Sequence, residues 1–312
     1  MLRRIVERFL ASLGVIFGAV TLIFLVLNWL PGDAATLIAG EDASPETVHH
    51  LRVKLGTDRP LSDQYRTYLA GVVRGDLGTS YVTREPVVRR LAAQLPSTLM
   101  LTFSACAVAI TLGVLLGVLS VSYRGRWLDH AIQSLSLFVH SMPSFWLGML
   151  MILLFSVRLG WLPVIGNGGL LPLVLPVTTL GIWLSVPLQR LVRDGMLEGL
   201  HEPYVTTLRA KGLGERRIHY VHVLRNAITA TITMLGVLVG ESISNAVIIE
   251  TLFARQGIGR TTVEAIGQKD VPVVQGAILI SSVAYVLVNL LVDLSYSLID
   301  PRTRLQTLKG TR

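Results

Sequence analysis

Residues 204–226 read YVTTLRAKGLGERRIHYVHVLRN. This basic, glycine-punctuated stretch lies between two long apolar runs, 171–189 and 226–251. Each run is about 20 residues, the length that spans a hydrocarbon core. The stretch is too long and too patterned for a simple turn. The pattern predicts a short helix with Tyr204, Thr207, Leu208 and Lys211 on one side, ending at Gly212, and a second helix from about Glu215 that carries Arg216, Arg217 and Arg225. If it faces the cytoplasm, it is where a soluble protein could grip a membrane protein.

Four further apolar runs, 9–30, 98–123, 131–157 and 271–299, bring the expected spans to six; acids interrupt the fifth and sixth. Charged residues make up 15% of the chain, against about 25% in soluble domains, and this shortfall excludes an ordinary soluble fold. The first run is too long for a signal-peptide core and no small-residue cleavage site follows it, so it reads as a retained span.

Short-loop cations set the orientation. Arg3, Arg4 and Arg8 precede the first run, Arg124 and Arg126 follow the second, and Arg302, Arg304, Lys309 and Arg312 close the chain. Arg190, Arg193, Arg209, Lys211, Arg216, Arg217 and Arg225 lie between the fourth and fifth, while the opposite short loops hold Arg158, Arg255, Arg260 and Lys269. Both termini and the 204–226 stretch are therefore expected inside. Topology accounts for the net charge of +8, so membrane lipid is the expected surrounding and nucleic acid is not needed as a partner. Cys106, the single cysteine, reads as a small buried hydrophobe.

Pro31 and Gly32 end the first run. Beyond them, Ser44-Pro45-Glu46 signals a helix start with a cap, a first-turn proline and an acid at the positive end. Residues 65–73 read as a short amphipathic helix, 75–78 as a turn, and 84–95 as a helix lying on the outer membrane surface with Val87, Leu91 and Leu95 on one face. Inside the runs, Pro143, Pro172, Pro176 and Pro187 survive only where neighbouring protein or water satisfies the freed backbone groups.

The sequence carries no Walker A pattern, HExxH or nucleophile elbow, and GDLGTS at 75–80 lacks the lysine of a P-loop. His49-His50 reads as solvated surface, with metal binding as the alternative. No internal energy source is legible. The intramembrane polar residues are the exception: Glu241 and Asn245 in the fifth run, Asn289 and Asp293 in the sixth, each pair four residues apart and so on one helix face. An acid at mid-depth costs about 3 kcal/mol on insertion scales and should face protein or water. The two faces either line a polar route or hold the bundle together by hydrogen bonds. Glu250, near the outer end, reads as a cap or hinge contact.

RAKGL at 209–213 followed by HVLRNA at 222–227 resembles the cytoplasmic signature of binding-protein-dependent ABC importer permeases, of the dipeptide, oligopeptide, opine and nickel branch. The resemblance continues through LPGD at 30–33, DRPLSDQY at 58–65, GDLGTSY at 75–81, LPSTLMLT at 95–102, SMPSFW at 141–146, VVQG at 273–276, NLLVDLSY at 289–296 and DPR at 300–302. LPGD, GDLGTS and DPR are similar to the first of the two permease subunits in such systems. Thr206-Thr207-Leu208 departs from the acid-alanine-alanine triplet of the wider superfamily. Ala34, Gln256 and Asn245 depart from the usual proline, proline and glycine.

The resemblance implies an all-α polytopic membrane protein with six transmembrane helices. An N-terminal peripheral helix (1–30) and an extracytoplasmic region (31–96) would precede a MetI-like importer-type permease core (97–300), and a cytoplasmic tail (301–312) would close it. It implies a heterodimer with a second homologous permease, two ATP-binding subunits and an extracytoplasmic substrate-binding protein. ATP and magnesium would be used by the ATPase partners, with no cofactor, metal or catalytic group on this chain. A coupling segment at 203–222, with Tyr204, Leu208, Arg209, Ala210, Lys211, Gly212, Leu213, Arg216 and Arg217, would dock in an ATPase groove. Expected cargo is di- or oligopeptide, with nickel chelates, opines or glutathione as alternatives and a proton-coupled secondary transporter as a remoter one.

Overall fold

In hydrocarbon a backbone must satisfy its own polar groups, so apolar runs become helices. The computed structural model describes the backbone of residues 2–29, 34–40, 43–166 and 169–299, and within these it leaves aside the side chains of residues 2–9, 34, 37, 229–233, 235 and 292–299. The LPGD and DPR stretches lie outside the described residues. In chain order the helices are α1 (Leu2–Trp29), α2 (Ala34–Ala39), α3 (Pro45–Leu55), α4 (Leu61–Arg74), α5 (Val87–Ser122), α6 (Trp127–Ser141), α7 (Ser144–Met151) and α8 (Leu171–His201). There follow α9 (Pro203–Ala210), α10 (Glu215–Arg217), α11 (Leu224–Leu252), α12 (Ile258–Gly267) and α13 (Val271–Ile299). Two π-helical segments, Ile152–Arg158 and Ile218–Val223, extend α7 and lead into α11. Among the described residues the only strand-like pairing is one bridge between Thr79 and Pro86.

By length and composition, four helices can cross a membrane: Leu10–Trp29, Val87–Ser122, Leu171–His201 and Val271–Leu291. The expected third span, 131–157, is not one straight helix. It is bent by 109° between α6 and the α7–π unit, and the pair makes a fifth crossing if taken as one broken span. Pro143 supplies the reason, having no N–H to offer the preceding turn. At the break, the Met142 carbonyl accepts a 3.0 Å bond from Trp183 Nε1 on α8. The fifth expected run falls in α11, 29 residues and about 43 Å long at 1.5 Å per residue.

A second correction concerns residues 84–95. They form no separate surface helix, because α5 runs from Val87 through Pro96 to Ser122. Val87 and Leu91, the apolar face read from the sequence, are fully buried. Burial of that face carries the helix past its proline.

The chain divides into two compact units, one of residues 1–98 and 256–286, the other of 99–255 and 287–312. In the first, Ile23, Val87, Leu91, Ile258, Ala265, Val273, Val274 and Ala277 form the core. Ser44 caps α3 as expected, its Oγ accepting from the Thr47 amide at 3.2 Å. The 75–81 turn is tied to the start of α13 by buried Asp270, which accepts from Ser80 Oγ at 2.5 Å, the Tyr81 amide at 2.9 Å and Arg90 at 3.4 Å. Gly276 lets α13 approach α5: a Cβ there would lie 2.6 Å from Val87 Cγ1 and 3.1 Å from Leu91 Cδ1. Gly276→Leu is therefore expected to cost about 1–3 kcal/mol by overpacking. Gly267→Leu, where a Cβ meets nothing within 4 Å, should leave the thermal midpoint of the detergent-solubilised protein nearly unchanged. Equal midpoints for the two variants would remove the close-approach role.

The second unit is built on Leu101, Ala105, Ala109, Leu175, Leu180, Leu184, Leu188, Leu238, Ala246, Ile249 and Phe253, from α5, α8 and α11. A smaller cluster, Val121, Val192, Met196, Val205, Ile218, Val223 and Ala227, holds the 204–226 stretch.

Candidate functional site

α9 is a two-turn amphipathic helix on that smaller cluster. Val205 is fully buried, Tyr204 and Leu208 pack beside it, and Thr206, Thr207, Arg209, Ala210 and Lys211 are exposed. Full burial of the Val205 side chain contributes about 1.5–3 kcal/mol. The face read from the sequence is thus split: Tyr204 and Leu208 turn inward, while Thr207 and Lys211 turn outward. Leu208 packs on the protein's own core and leaves the outer face of α9 polar.

Gly212 closes α9 in the left-handed region, with φ +78°. Its amide donates to the Arg209 carbonyl at 2.9 Å, and the Leu213 amide donates to the Leu208 carbonyl at 3.2 Å. This is the two-bond glycine cap that satisfies a helix C-terminus, with Leu208 and Leu213 as its apolar pair. A Cβ on Gly212 would meet no atom within 4 Å, so the backbone angle, and not space within this chain, calls for glycine.

Arg209 reaches across the turn to Glu215, with Nε–Oε1 at 2.7 Å and Nη2–Oε2 at 3.2 Å. The hydrogen bond and charge of Arg209 draw the Glu215 carboxyl below the usual carboxylate range. The depressed value means that the contribution of the pair is complete above the ordinary carboxylate pKa and fades as pH falls through the lowered one. Both groups are about half exposed, so the pair orients the turn more than it stabilises it. Lys211, Arg216 and Arg217 are exposed and have no ion-pair partner among the described residues.

The π-helical turn after α10 has a packing reason. Ile218 and Val223, five residues apart, are both fully buried. Regular α-helix would place them about 140° apart around the axis at 3.6 residues per turn, whereas i→i+5 bonding brings them to one face. Tyr204 Oη receives a 3.2 Å bond from Asn226 Nδ2, which fastens α9 to the start of α11.

Of the intramembrane polar residues, Asn245 has defined partners. Asn245 Nδ2 donates to the Glu241 carbonyl at 2.9 Å, and its Oδ1 accepts from Ser144 Oγ, also at 2.9 Å. Asn245 therefore ties α11 to the first turn after the Pro143 break. Glu241 has an exposed side chain and Asn289 is half-buried; the side chain of Asp293 lies outside the described residues. Glu250 is buried, with its backbone carbonyl accepting from the Arg255 amide at 2.8 Å.

One assembly was not read from the sequence. Asp129, buried on α6, accepts from Ser120 Oγ at 2.5 Å, from the Gly125 amide at 3.1 Å and from Arg193 of α8 at 3.3 Å. Arg193 Nε also donates to Ser120 Oγ at 2.9 Å, as does Gln133 Nε2 at 3.0 Å. The network joins α5, α6 and α8 within the second unit.

The sequence matches the family described as binding-protein-dependent transport system inner membrane component over residues 109–305, and the N-terminal component of the same systems over residues 1–102. The chain belongs to this family. It is a multi-pass inner-membrane permease subunit of an ABC import system, and such a subunit is not the catalytic one. A Brucella abortus (strain 2308) protein named as a peptide transport system permease is 39% identical over 308 residues, covering 96% of this permease and 98% of the relative. The glutathione transport system permease GsiC of Escherichia coli (strain K12) is 36% identical over 304 residues, with 97% and 99% covered. An inward-facing structure of the MetNI methionine ABC transporter superposes with TM-score 0.56 at 17% identity, over 67% of this permease and 95% of that chain. That likeness concerns the fold, and it is the importer-type permease core.

Proposed function

We propose that this chain is one of two homologous permeases in an ATP-driven importer that moves peptides handed over by an extracytoplasmic binding protein. The observation that carries the reading is the end-to-end similarity to a peptide transport permease, 39% over 96% of the chain. Two ATP-binding subunits supply the energy and use the ATP and magnesium; this chain holds neither. The cation distribution supports cytoplasmic termini and a cytoplasmic α9. The outer face of α9, with Thr206, Thr207, Ala210 and Lys211, docks in an ATPase groove, and Arg216 and Arg217 meet acids at its rim.

A partner can shift a two-state permease only by binding its states differently. Closure of the ATPases on ATP displaces α9, and the packing of Val205 against Val192, Met196 and Val223 passes that displacement to α8 and α11. The bundle then opens outward and the peptide passes between the two permeases. Glu241, exposed on the single chain, faces that path or the second permease, since an acid on lipid is costly.

Proteoliposomes of the whole complex with labelled dipeptide test the reading. Uptake is expected to require ATP, and Glu241→Gln to lower it several-fold with the complex intact. Uptake that survives ATP depletion and collapses with the proton gradient would replace this mechanism with a proton-coupled one. Loss of complex assembly in Glu241→Gln would make that residue structural. The similarity to GsiC favours glutathione as a second cargo, and displacement of dipeptide by glutathione at equal concentration would select it.

A further inference from the structure

Within the first unit, a cavity of about 630 Å³ opens where the last turns of α1 meet the first turn of α13 and the helices α3 and α4. Its apolar wall includes Phe24 and Leu27, near the end of the Leu10–Trp29 span, and its far side includes Gln275 at the start of the Val271–Leu291 span. The cavity therefore sits level with two span ends, at the boundary between hydrocarbon and water. Trp29, 81% exposed, marks the same level as an interfacial anchor.

Its polar lining includes Lys54 and Arg59, which have no ion-pair partner among the described residues, and one acid, Asp76. Asp76 is engaged in its own turn, Oδ1 accepting from the Gly78 amide at 2.9 Å. Tyr68 lies against Phe24 with ring centroids 5.7 Å apart. The Tyr68 side chain borders the same cavity, and its phenol oxygen is buried with no hydrogen-bond partner among the described residues. A buried hydroxyl without a partner is destabilising, and a ligand acceptor would recover that loss. Burial, aided by Tyr65, pushes the Tyr68 pKa up to about 12, so at neutral pH the phenol is a donor.

We propose that this cavity binds the phosphate-bearing headgroup of an anionic membrane phospholipid. The phosphodiester is held by Lys54, Arg59 and the Tyr68 hydroxyl, and the acyl chains lie along Phe24 and Leu27. Two cations and a neutral donor suit a singly charged phosphodiester, and cations at a membrane surface already attract anionic lipid. Free phosphate offers the same oxygens, but it has no use for an apolar wall at a span end.

The test titrates the purified full complex with dioctanoyl phosphatidylglycerol and counts bound lipid by native mass spectrometry. One tightly held lipid is expected. Lys54→Glu with Arg59→Glu should weaken it at least tenfold and Tyr68→Phe about tenfold, as for loss of charge-assisted bonds. Arg66→Glu, an exposed cation on α4 outside the cavity, should leave it unchanged. Unchanged retention in the double variant would overturn the proposal, and so would displacement of the lipid by excess inorganic phosphate. If the double variant elutes as aggregate, Tyr68→Phe decides: wild-type retention there refutes the site.

Discussion

Gly212→Val is expected to lower peptide uptake by tenfold or more while the permease stays in the membrane and the complex still hydrolyses ATP. The cause is conformational. Gly212 holds φ +78°, where an L-residue pays about 1–2 kcal/mol, a five- to thirtyfold loss in the population of the capped turn. A β-branched side chain pays more. Releasing the cap frees Leu213 from Leu208 and disorders the outer face of α9, which under the proposed docking loses its register on the ATPase. Gly212→Asn, which tolerates the left-handed region, should keep uptake within about threefold of the parent. Gly212→Trp adds both strain and bulk and should be at least as defective as valine. Paired uptake and hydrolysis rates in proteoliposomes read the result. An asparagine variant as inactive as valine would mean that the partner needs the space at Gly212. Normal uptake by a well-expressed tryptophan variant would sink the docking assignment.

The second large effect is expected at Asp129. Asp129→Ala leaves the Arg193 guanidinium, 22% exposed, without its buried carboxylate, and breaking such a pair costs about 3–5 kcal/mol. Asp194 stands 3.7 Å from Arg193 but is 73% exposed, so it does not replace the lost partner. The variant should give little folded protein and a markedly lower thermal midpoint in detergent. Asp129→Leu combined with Arg193→Met should regain most of the loss, since the buried charge is then gone as well. A double variant as unstable as Asp129→Ala would show that packing at these positions, and not the ion pair, sets the stability.

What the sequence made legible was what a segment says about itself. Ser44 as a cap, the turn at Gly75 and the helix ending at Gly212 are local chemistry, and each stands where it was read. Contacts between segments were hidden. Glu215 as the partner of Arg209 needs the turn geometry at Gly212, because six residues apart is no helical neighbour. The bond from Ser144 to Asn245 joins residues 101 apart in the chain, and helix periodicity is silent on which face meets which. The same silence hid Asp129 and Arg193, which look like loop-flanking charges until α6 and α8 are packed. At Pro143 the disturbance was visible but not the 109° bend, and the Trp183 bond to the Met142 carbonyl there joins residues 41 apart in the chain. At Pro96 the opposite holds: burial of Val87 and Leu91 carries α5 straight through. For residues 203–210 the short helix was legible and its facing was not. Leu208, expected among the docking residues, packs on the core.

On the proposed reading, α9 presents Thr207 to an ATP-binding subunit in the cytoplasm. Cys106 is the single cysteine, so Cys106→Ala provides a background in which Thr207→Cys is the one thiol on this chain. A short bifunctional cross-linker applied to inside-out vesicles of the active complex is expected to join Thr207→Cys to an ATP-binding subunit, with a yield that changes on adding ATP. A membrane-impermeant thiol reagent applied to intact cells is expected to leave it unlabelled. Labelling from outside, or an uptake-competent complex with no cross-link to an ATP-binding subunit, would contradict the account.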